Sequence, residues 1–345
     1  MKVGLIARCE DRGLGVMTRA FYEHMQPERV LIVVPPNNDL PKHYEWYEDK
    51  RPYAATAFLR EDGTLNEGGM RDWIDGLDVI YTAETFYDWR IVEWAREAGV
   101  ATVCHVMPEY FRPDWRDMPV TEWWTPTVYR LDHLPNRTRI VPVPIELGEA
   151  FAPNFEPHER LHWMHPAGAR AKKDRNGTTQ VIRAVQHCTE EHLLTICTQD
   201  PIDHFVHTQK VAVEIQAERT NRWRNYKDID AVILPRKYGG LSLPALEAMA
   251  SGCALVMPNV PPQWQEWPIV PLDCNMTEGG TIQLYHQAIP LAVVEPTEIA
   301  RVMDMLARDP ALLLAHRMRS LAHAERHSWQ SLKGMYVRAL ERAAG

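Results

Sequence analysis

The chain has 345 residues, of which 45% are hydrophobic and 24% charged, and its formal net charge is −8 at pH 7. That length suits two domains of about 150 residues each, and the composition is typical of a globular protein. The acidic balance excludes a global positive field for nucleic acid, although it is compatible with a local basic patch. Six scattered cysteines without a CxxC pair, no signal-peptide pattern and no apolar run of membrane-spanning length predict a cytoplasmic protein with free thiols.

The first half of the chain alternates short apolar runs with helical patterns. Near-continuous apolar strands separated by helices are typical of a parallel, doubly wound sheet. The glycines within 13–15 predict a turn between the first strand and the first helix. The predicted strands are 2–7, 29–35, 77–84 and 100–107, and the predicted helices are 16–25 and 89–98.

A second series of alternating elements follows a proline-rich segment. Residues 142–157 hold four prolines and little periodicity, which predicts a linker. The predicted fold class is therefore α/β, with two Rossmann-like, doubly wound domains at 1–148 and 149–328 that face each other across a cleft, because open α/β sheets bind ligands at the carboxyl ends of their strands. The later predicted strands are 161–168, 193–200, 211–218, 230–235 and 254–258, with helices at 178–187 and 243–250 and a mainly helical tail at 296–344, broken near 309–310.

The most informative segment is 230–256, which predicts a buried strand, a glycine-containing loop, a helix and a second strand. Pro244 suits the first turn of that helix. Unpaired backbone N–H groups at a helix start bind anionic groups such as a diphosphate. Glu247 lies about one turn further on, and its carboxylate can accept two hydrogen bonds from ribose hydroxyls. It could instead simply complement the helix dipole.

This segment resembles the donor-site signature of retaining GT-B glycosyltransferases of the family-four type (group 1), to which it aligns without a gap. In that family two glutamates eight positions apart flank the donor. The second, which binds the nucleotide ribose, corresponds to Glu247; the first falls on Gly239, so this chain lacks it. The variant loop is similar to that of phage-encoded glycosyltransferases. The resemblance implies that backbone donors hold the donor phosphates near Gly240, Leu241, Ser242 and Leu243.

The end of the chain also resembles that family. Ser328 and Trp329 precede the last predicted helix, as they do in the closing helices of the family. The resemblance implies that residues 329–345 pack back on the first domain.

A second motif, 165–178, places four cations and one acid between a strand end and a helix start near Gly177. Cations that converge with a helix start suit a departing nucleoside diphosphate, although the same residues could form a solvated basic loop. The resembled family carries an Arg and a Lys after this strand. We therefore predict Arg170 and Lys173 as catalytic residues, with Lys172 and Arg175 as further donor-binding residues.

Two further predictions concern the first domain. His105 ends an apolar strand and matches a family histidine that lies beside the transferred sugar, so the resemblance implies a catalytic-site role; the residues alone favour a structural histidine. Glu109 and Tyr110 are predicted on the acceptor side. The glycines Gly13 and Gly15 follow the first strand and open a helix, which predicts donor contacts or simple turn glycines.

The sequence thus predicts a hexosyltransferase that moves a sugar from a UDP- or GDP-sugar to an acceptor hydroxyl, with retention and with neither a metal nor another cofactor. The acceptor is a small molecule, a glycan, a protein or modified DNA. For DNA, a hydroxymethylated pyrimidine of phage DNA would be the acceptor, and the aromatic and arginine residues within 110–130 would line its site. The same sequence is also compatible with a sugar-nucleotide epimerase or with a non-catalytic donor-binding subunit.

Overall fold

The computed structural model describes residues 1–10, 13–34, 45–47, 54–168, 174–200, 202, 208–217, 226–238, 240–260, 267–276, 279–284 and 287–345. The chain divides into two compact units. Unit 1 is Met1–Val143 with Leu332–Gly345, and unit 2 is Pro144–Ser331.

Unit 1 contains a seven-stranded parallel sheet of order β3-β2-β1-β4-β5-β6-β7. The strand order reverses between β1 and β4, which makes this a doubly wound sheet. Its central strands are buried along their whole length, as their near-continuous apolar sequences predict. The strands are β1 (Val3–Ala7), β2 (Arg29–Val34), β3 (Ala54–Phe58), β4 (Val79–Ala83), β5 (Ala101–His105), β6 (Glu122–Thr125) and β7 (Arg139–Ile140), and the helices are α1 (Gly13–Met25), α2 (Glu67–Ile74) and α3 (Arg90–Glu97).

Unit 2 contains a six-stranded parallel sheet of order β10-β9-β8-β11-β12-β13 and a separate antiparallel hairpin, β14-β15. The apolar cores of the unit lie between the sheet and its helices. The strands are β8 (Leu161–Gly168), β9 (His192–Thr198), β10 (Val211–Ala217), β11 (Ala231–Ile233), β12 (Ala254–Pro258), β13 (Val270–Leu272), β14 (Thr281–Leu284) and β15 (Gln287–Pro290), and the helices are α4 (Thr178–Ala184), α5 (Leu243–Ala250), α6 (Pro296–Arg308) and α7 (Pro310–Arg326).

The last helix, α8 (Trp329–Ala344), is mostly part of unit 1. Glu122 of β6 accepts hydrogen bonds from Arg342 at 3.1 and 3.2 Å, and the hydroxyl of Tyr336 donates to the carbonyl of Pro142 at 3.1 Å. These contacts attach α8 to the sheet of unit 1.

The α/β fold class with two parallel sheets is confirmed. The predicted turn at 13–15 is wrong, because α1 already begins at Gly13 and both glycines lie in its first turn. The predicted break near residue 309 is present: α6 ends at Arg308, and the carboxylate of Asp309 accepts a hydrogen bond from the N–H of Leu312 at 2.9 Å and so caps α7. Among the described residues, no helix combines the length and the apolar character that a membrane crossing requires.

Candidate functional site

The two motifs predicted to bind the donor lie side by side in unit 2. They follow β8 and β11, which pair in parallel, so their carboxyl ends share one edge of the sheet. The N–H of Lys237 donates to the carbonyl of Arg175 at 2.9 Å, and its ammonium lies 3.5 Å from the carboxylate of Asp174. The Arg175 guanidinium stacks over the ring of Tyr238, 4.6 Å from its centre. The structure therefore joins residues 174–175 to 237–238.

The start of α4 is occupied by a carboxylate of the chain itself. Asp174 accepts hydrogen bonds from the N–H groups of Thr178 at 2.8 Å and Thr179 at 3.0 Å. Burial alone would raise the pKa of Asp174, but these hydrogen bonds and Lys237 outweigh it and hold the pKa below its usual range. Asp174 thus accepts from the backbone at this helix start, and the role of the start in diphosphate binding stays a prediction. Arg170, Lys172 and Lys173 lie outside the described residues.

The start of α5 differs, because within the described part of the chain its N-cap side chain makes no capping hydrogen bond. Gly240 has a φ of +101°, in the region that favours glycine, and leads the chain into the helix. Ser242 is the N-cap residue; its carbonyl accepts from Ala245 and Leu246, but its buried hydroxyl has no hydrogen-bond partner among the described residues. Leu241 and Leu243 are half-buried against the apolar cluster beneath the helix. The Ser242 hydroxyl and the backbone here can therefore hydrogen-bond to an anionic group.

Glu247 lies one turn beyond this helix start and is 8% exposed. The hydroxyl of Tyr226 lies 3.0 Å from one Glu247 carboxylate oxygen and 3.2 Å from the carbonyl of Pro244. Burial, and then the neighbouring carboxylate of Glu247, raise the pKa of Tyr226 well above its usual value, so the phenol stays protonated and can donate. The structure thus gives Glu247 a fixed neighbour that the sequence analysis did not identify.

His105 ends β5 inside unit 1 and is fully buried. Its Nδ1 lies 3.1 Å from the hydroxyl of Tyr81, and its ring packs among those of Tyr81, Trp124 and Tyr336. Burial lowers the pKa of His105 to about 3, so the ring is neutral at pH 7. This environment favours packing over contact with a sugar.

The remaining predicted residues of unit 1 differ in their surroundings. Gly15 fits tightly, because a Cβ there would lie 1.9 Å from the carbonyl oxygen of Glu10, whereas a Cβ at Gly13 would meet nothing within 4 Å. Glu109 is buried and Tyr110 half-buried in a short 3-10 turn after β5.

Most aromatic rings within 110–130 belong to the core of unit 1. The arginines there are also engaged: Arg112 pairs with Asp114 at 3.0 Å, and Arg116 donates to the carbonyl of His133 at 2.7 Å. A base-stacking surface needs exposed rings, and most rings of this segment are buried, so the structure does not support the predicted DNA site. The buried rings are Phe111, Trp115, Trp123 and Trp124.

One group of potential metal ligands lies in unit 2, away from the two donor-site motifs. Their ligand atoms lie within 4.8 Å of one another, and the residues are Cys188, His192 and Asp304. His192 is already engaged, because one ring nitrogen accepts from the Trp163 indole at 3.2 Å and the other lies 3.0 Å from Asp304. The Asp304 carboxylate also accepts from Thr189, and burial raises the pKa of Cys188 to about 12, which disfavours a thiolate ligand. The cluster is therefore best described as a buried hydrogen-bond network.

No protein-family model and no curated protein matches the sequence. Solved structures, however, match nearly the whole chain. Anabaena HepE in complex with UDP and glucose has a TM-score of 0.66 at 11% identity, with 99% of this chain and 100% of that one covered. A glycosyltransferase from Rickettsia africae has a TM-score of 0.68 at 8% identity, with coverages of 99% and 98%. Sucrose-phosphate synthase from Thermosynechococcus elongatus has a TM-score of 0.62 at 11% identity, with 99% of both chains covered.

The chain has the GT-B fold. Identities this low establish the fold and nothing finer. Within this GT-B chain, the described parts of the two donor-site motifs lie together in unit 2, and His105, Glu109 and the two glycines lie in unit 1.

Two features of the candidate site had no signal in the sequence. Tyr226 precedes Glu247 by 21 positions, and no periodicity connects them. The hairpin β14-β15 packs Ile282 and Ile289 against Tyr238, although its strands have only four residues each, too few for a clear pattern. Only the fold brings these residues to the loop after β11.

Proposed function

We propose that this protein is a glycosyltransferase that uses a nucleoside-diphosphate sugar, of the UDP or GDP type, and transfers the sugar to an acceptor hydroxyl with retention. The observation that carries the proposal is the α5 start: a buried Ser242 hydroxyl without a partner among the described residues, one turn before a carboxylate held by Tyr226. The GT-B fold supports it, and so does the solved complex of HepE with UDP and glucose.

In this proposal the diphosphate binds the backbone and hydroxyl groups of 240–243, and Glu247 accepts hydrogen bonds from the ribose. Arg175 adds positive charge beside the loop, and Arg170, Lys172 and Lys173 are assigned to the same role. Stabilising negative charge on the departing diphosphate is the main catalytic effect expected of these groups. The acceptor attacks on the face from which the diphosphate leaves, and a donor phosphate oxygen takes the acceptor proton, so neither an enzyme nucleophile nor a metal is required.

His105 has no direct catalytic role in this proposal, because its ring is enclosed by the aromatic cluster of unit 1. Gly13 and Gly15 open α1, and Glu109 and Tyr110 are assigned to the acceptor side. No DNA acceptor is proposed, since most of the rings that would stack on bases are buried.

Nucleotide binding tests the proposal most directly. Titration calorimetry with UDP and GDP should show binding of at least one of them, and Glu247→Ala should weaken it by about 10- to 100-fold through loss of hydrogen bonds to a charged acceptor. Glu325→Ala, an exposed glutamate of α7, is the matched control and should bind as the wild type does. If the wild-type protein binds no nucleoside diphosphate, the proposal is contradicted.

Turnover separates sugar transfer from epimerisation and from binding alone. Radiolabelled UDP- and GDP-sugars incubated with candidate acceptors should give a labelled product that mass spectrometry identifies. An epimerase would instead alter the donor without an acceptor, and a non-catalytic subunit would bind the donor without turnover.

A further inference from the structure

Tyr226 lies beneath α5 in a position that the apolar core fixes. It is 5% exposed, and its ring belongs to the cluster that includes Ile229, Ala245 and Leu246. The N–H of Ile229 donates to the Tyr226 carbonyl at 3.3 Å, which holds the backbone as well. The packing of the Tyr226 ring in this cluster therefore places its hydroxyl against α5 without a ligand.

The Tyr226 hydroxyl carries one hydrogen and has two neighbours that can accept it. The Glu247 carboxylate oxygen is the closer, at 3.0 Å against 3.2 Å for the Pro244 carbonyl, and a carboxylate oxygen is a stronger acceptor than a peptide carbonyl. The terminal torsion of a glutamate is broad when nothing restrains it. The Tyr226 hydroxyl, fixed against one carboxylate oxygen, therefore restrains the rotation of the Glu247 carboxylate.

We propose that Tyr226 is a positioning residue for the nucleotide site: its hydroxyl holds the Glu247 carboxylate in the rotation that accepts hydrogen bonds from the ribose hydroxyls of the donor. This inference rests on the proposed function. Because the carboxylate is restrained before the nucleotide arrives, binding loses less side-chain freedom, which increases affinity for the ribose in particular.

The test compares nucleotides that have or lack ribose hydroxyls. UDP and GDP are each paired with their 2′,3′-dideoxy forms and titrated into the full-length wild type and Tyr226→Phe. The substitution removes one hydroxyl and keeps the ring in its core. It should weaken binding of the ribonucleotide by about 3- to 12-fold, because the carboxylate must then be ordered when the nucleotide binds, and change binding of the dideoxy form by less than about twofold. For transfer, KM of the nucleotide sugar should rise by the same factor while kcat stays near the wild-type value.

A matched control isolates this role from a general loss of stability. Thr189→Val also removes a hydroxyl that donates to a buried carboxylate, that of Asp304, elsewhere in unit 2. It should leave both titrations unchanged. In a Glu247→Ala background, Tyr226→Phe should have no further effect on binding, because its acceptor is already absent.

Several outcomes would overturn the inference. Equal weakening of the ribonucleotide and dideoxy forms by Tyr226→Phe is one, and an additive effect in the Glu247→Ala background is another. If Tyr226→Phe fails to fold, Glu247→Asp replaces it, because the shorter side chain draws the carboxylate away from the Tyr226 hydroxyl. If Glu247→Asp still binds the ribonucleotide more tightly than the dideoxy form by the wild-type factor, the positioning role is rejected. If the wild type refuses both nucleotides, the proposed function itself fails, and that result is distinct from those above.

Discussion

Gly15 has no room for a side chain, whereas Gly13, two positions earlier in the same helix, does. A Cβ at Gly15 would lie 1.9 Å from the carbonyl oxygen of Glu10, which is backbone and cannot swing away. Gly15→Ala should therefore lower the free energy of unfolding by about 1–3 kcal/mol or more. Gly13→Ala should change it by less than about 1 kcal/mol. Urea unfolding of the two variants measures the difference, and equal effects would contradict the packing argument.

Asp174 links the candidate site to pH. Its pKa in the folded protein lies below its usual value, so its stabilising contribution is present above the unfolded pKa of about 3.9 and is lost as the pH falls through the folded pKa. Asp174→Asn should lower stability at pH 7 by roughly 1 kcal/mol, the usual cost of weakening a helix cap. The gap between wild type and variant should close below about pH 4.

The control for this measurement is Asp72, an exposed aspartate on α2. Asp72→Asn should leave the free energy of unfolding within about 0.5 kcal/mol of the wild type at both pH 7 and pH 3. A gap for Asp174→Asn that stays constant from pH 7 to pH 3 would show that the charge of this carboxylate is not the stabilising feature.

At the level of elements, the hairpin β14-β15 holds the loop after β11. Ile289 is 4% exposed and packs on Tyr238, and the N–H of Ala292 donates to the Lys237 carbonyl at 2.6 Å. Ile289→Ala should cost about 2–5 kcal/mol locally, since it opens a cavity in a small cluster. We expect faster amide exchange in 287–292 and 236–243, and weaker nucleotide binding. Thr281→Ala, exposed on the same hairpin, should alter neither, and unchanged exchange at 236–243 in Ile289→Ala would refute the link.

Helices and strands with a strong local pattern are predictable from the sequence. Side-chain environments that depend on residues far apart in the chain are not. The helix 243–250 was predicted within its observed bounds, because Pro244 marks its first turn and an apolar run follows. The start of α4 near Gly177 is predictable, but nothing in the sequence shows that Asp174 folds back onto Thr178 and Thr179. His105 was correctly placed at a strand end, but the α8 residue Tyr336 that helps to enclose it lies 231 positions away.

At the scale of the whole molecule, each unit has its own sheet and its own apolar core, which predicts separable unfolding. One core lies within residues 6–134, and the others lie within 145–324. Glu122, which accepts from Arg342 of α8, belongs to unit 1, so Glu122→Gln should destabilise that unit only. The proposed nucleotide site belongs to unit 2.

A nucleotide that binds unit 2 should stabilise that unit by mass action, by about 2.7 kcal/mol at a hundredfold excess over Kd. Urea unfolding followed by hydrogen exchange of peptides from each unit resolves the two transitions. We expect UDP or GDP, whichever binds, to shift only the transition of peptides within 161–258, and Glu122→Gln to shift only that of peptides within 79–125. A ligand stabilises a unit only if the unfolding of that unit disrupts its binding site. A shift confined to unit 1 peptides would therefore place the nucleotide in unit 1, and the ribose could not be assigned to Glu247.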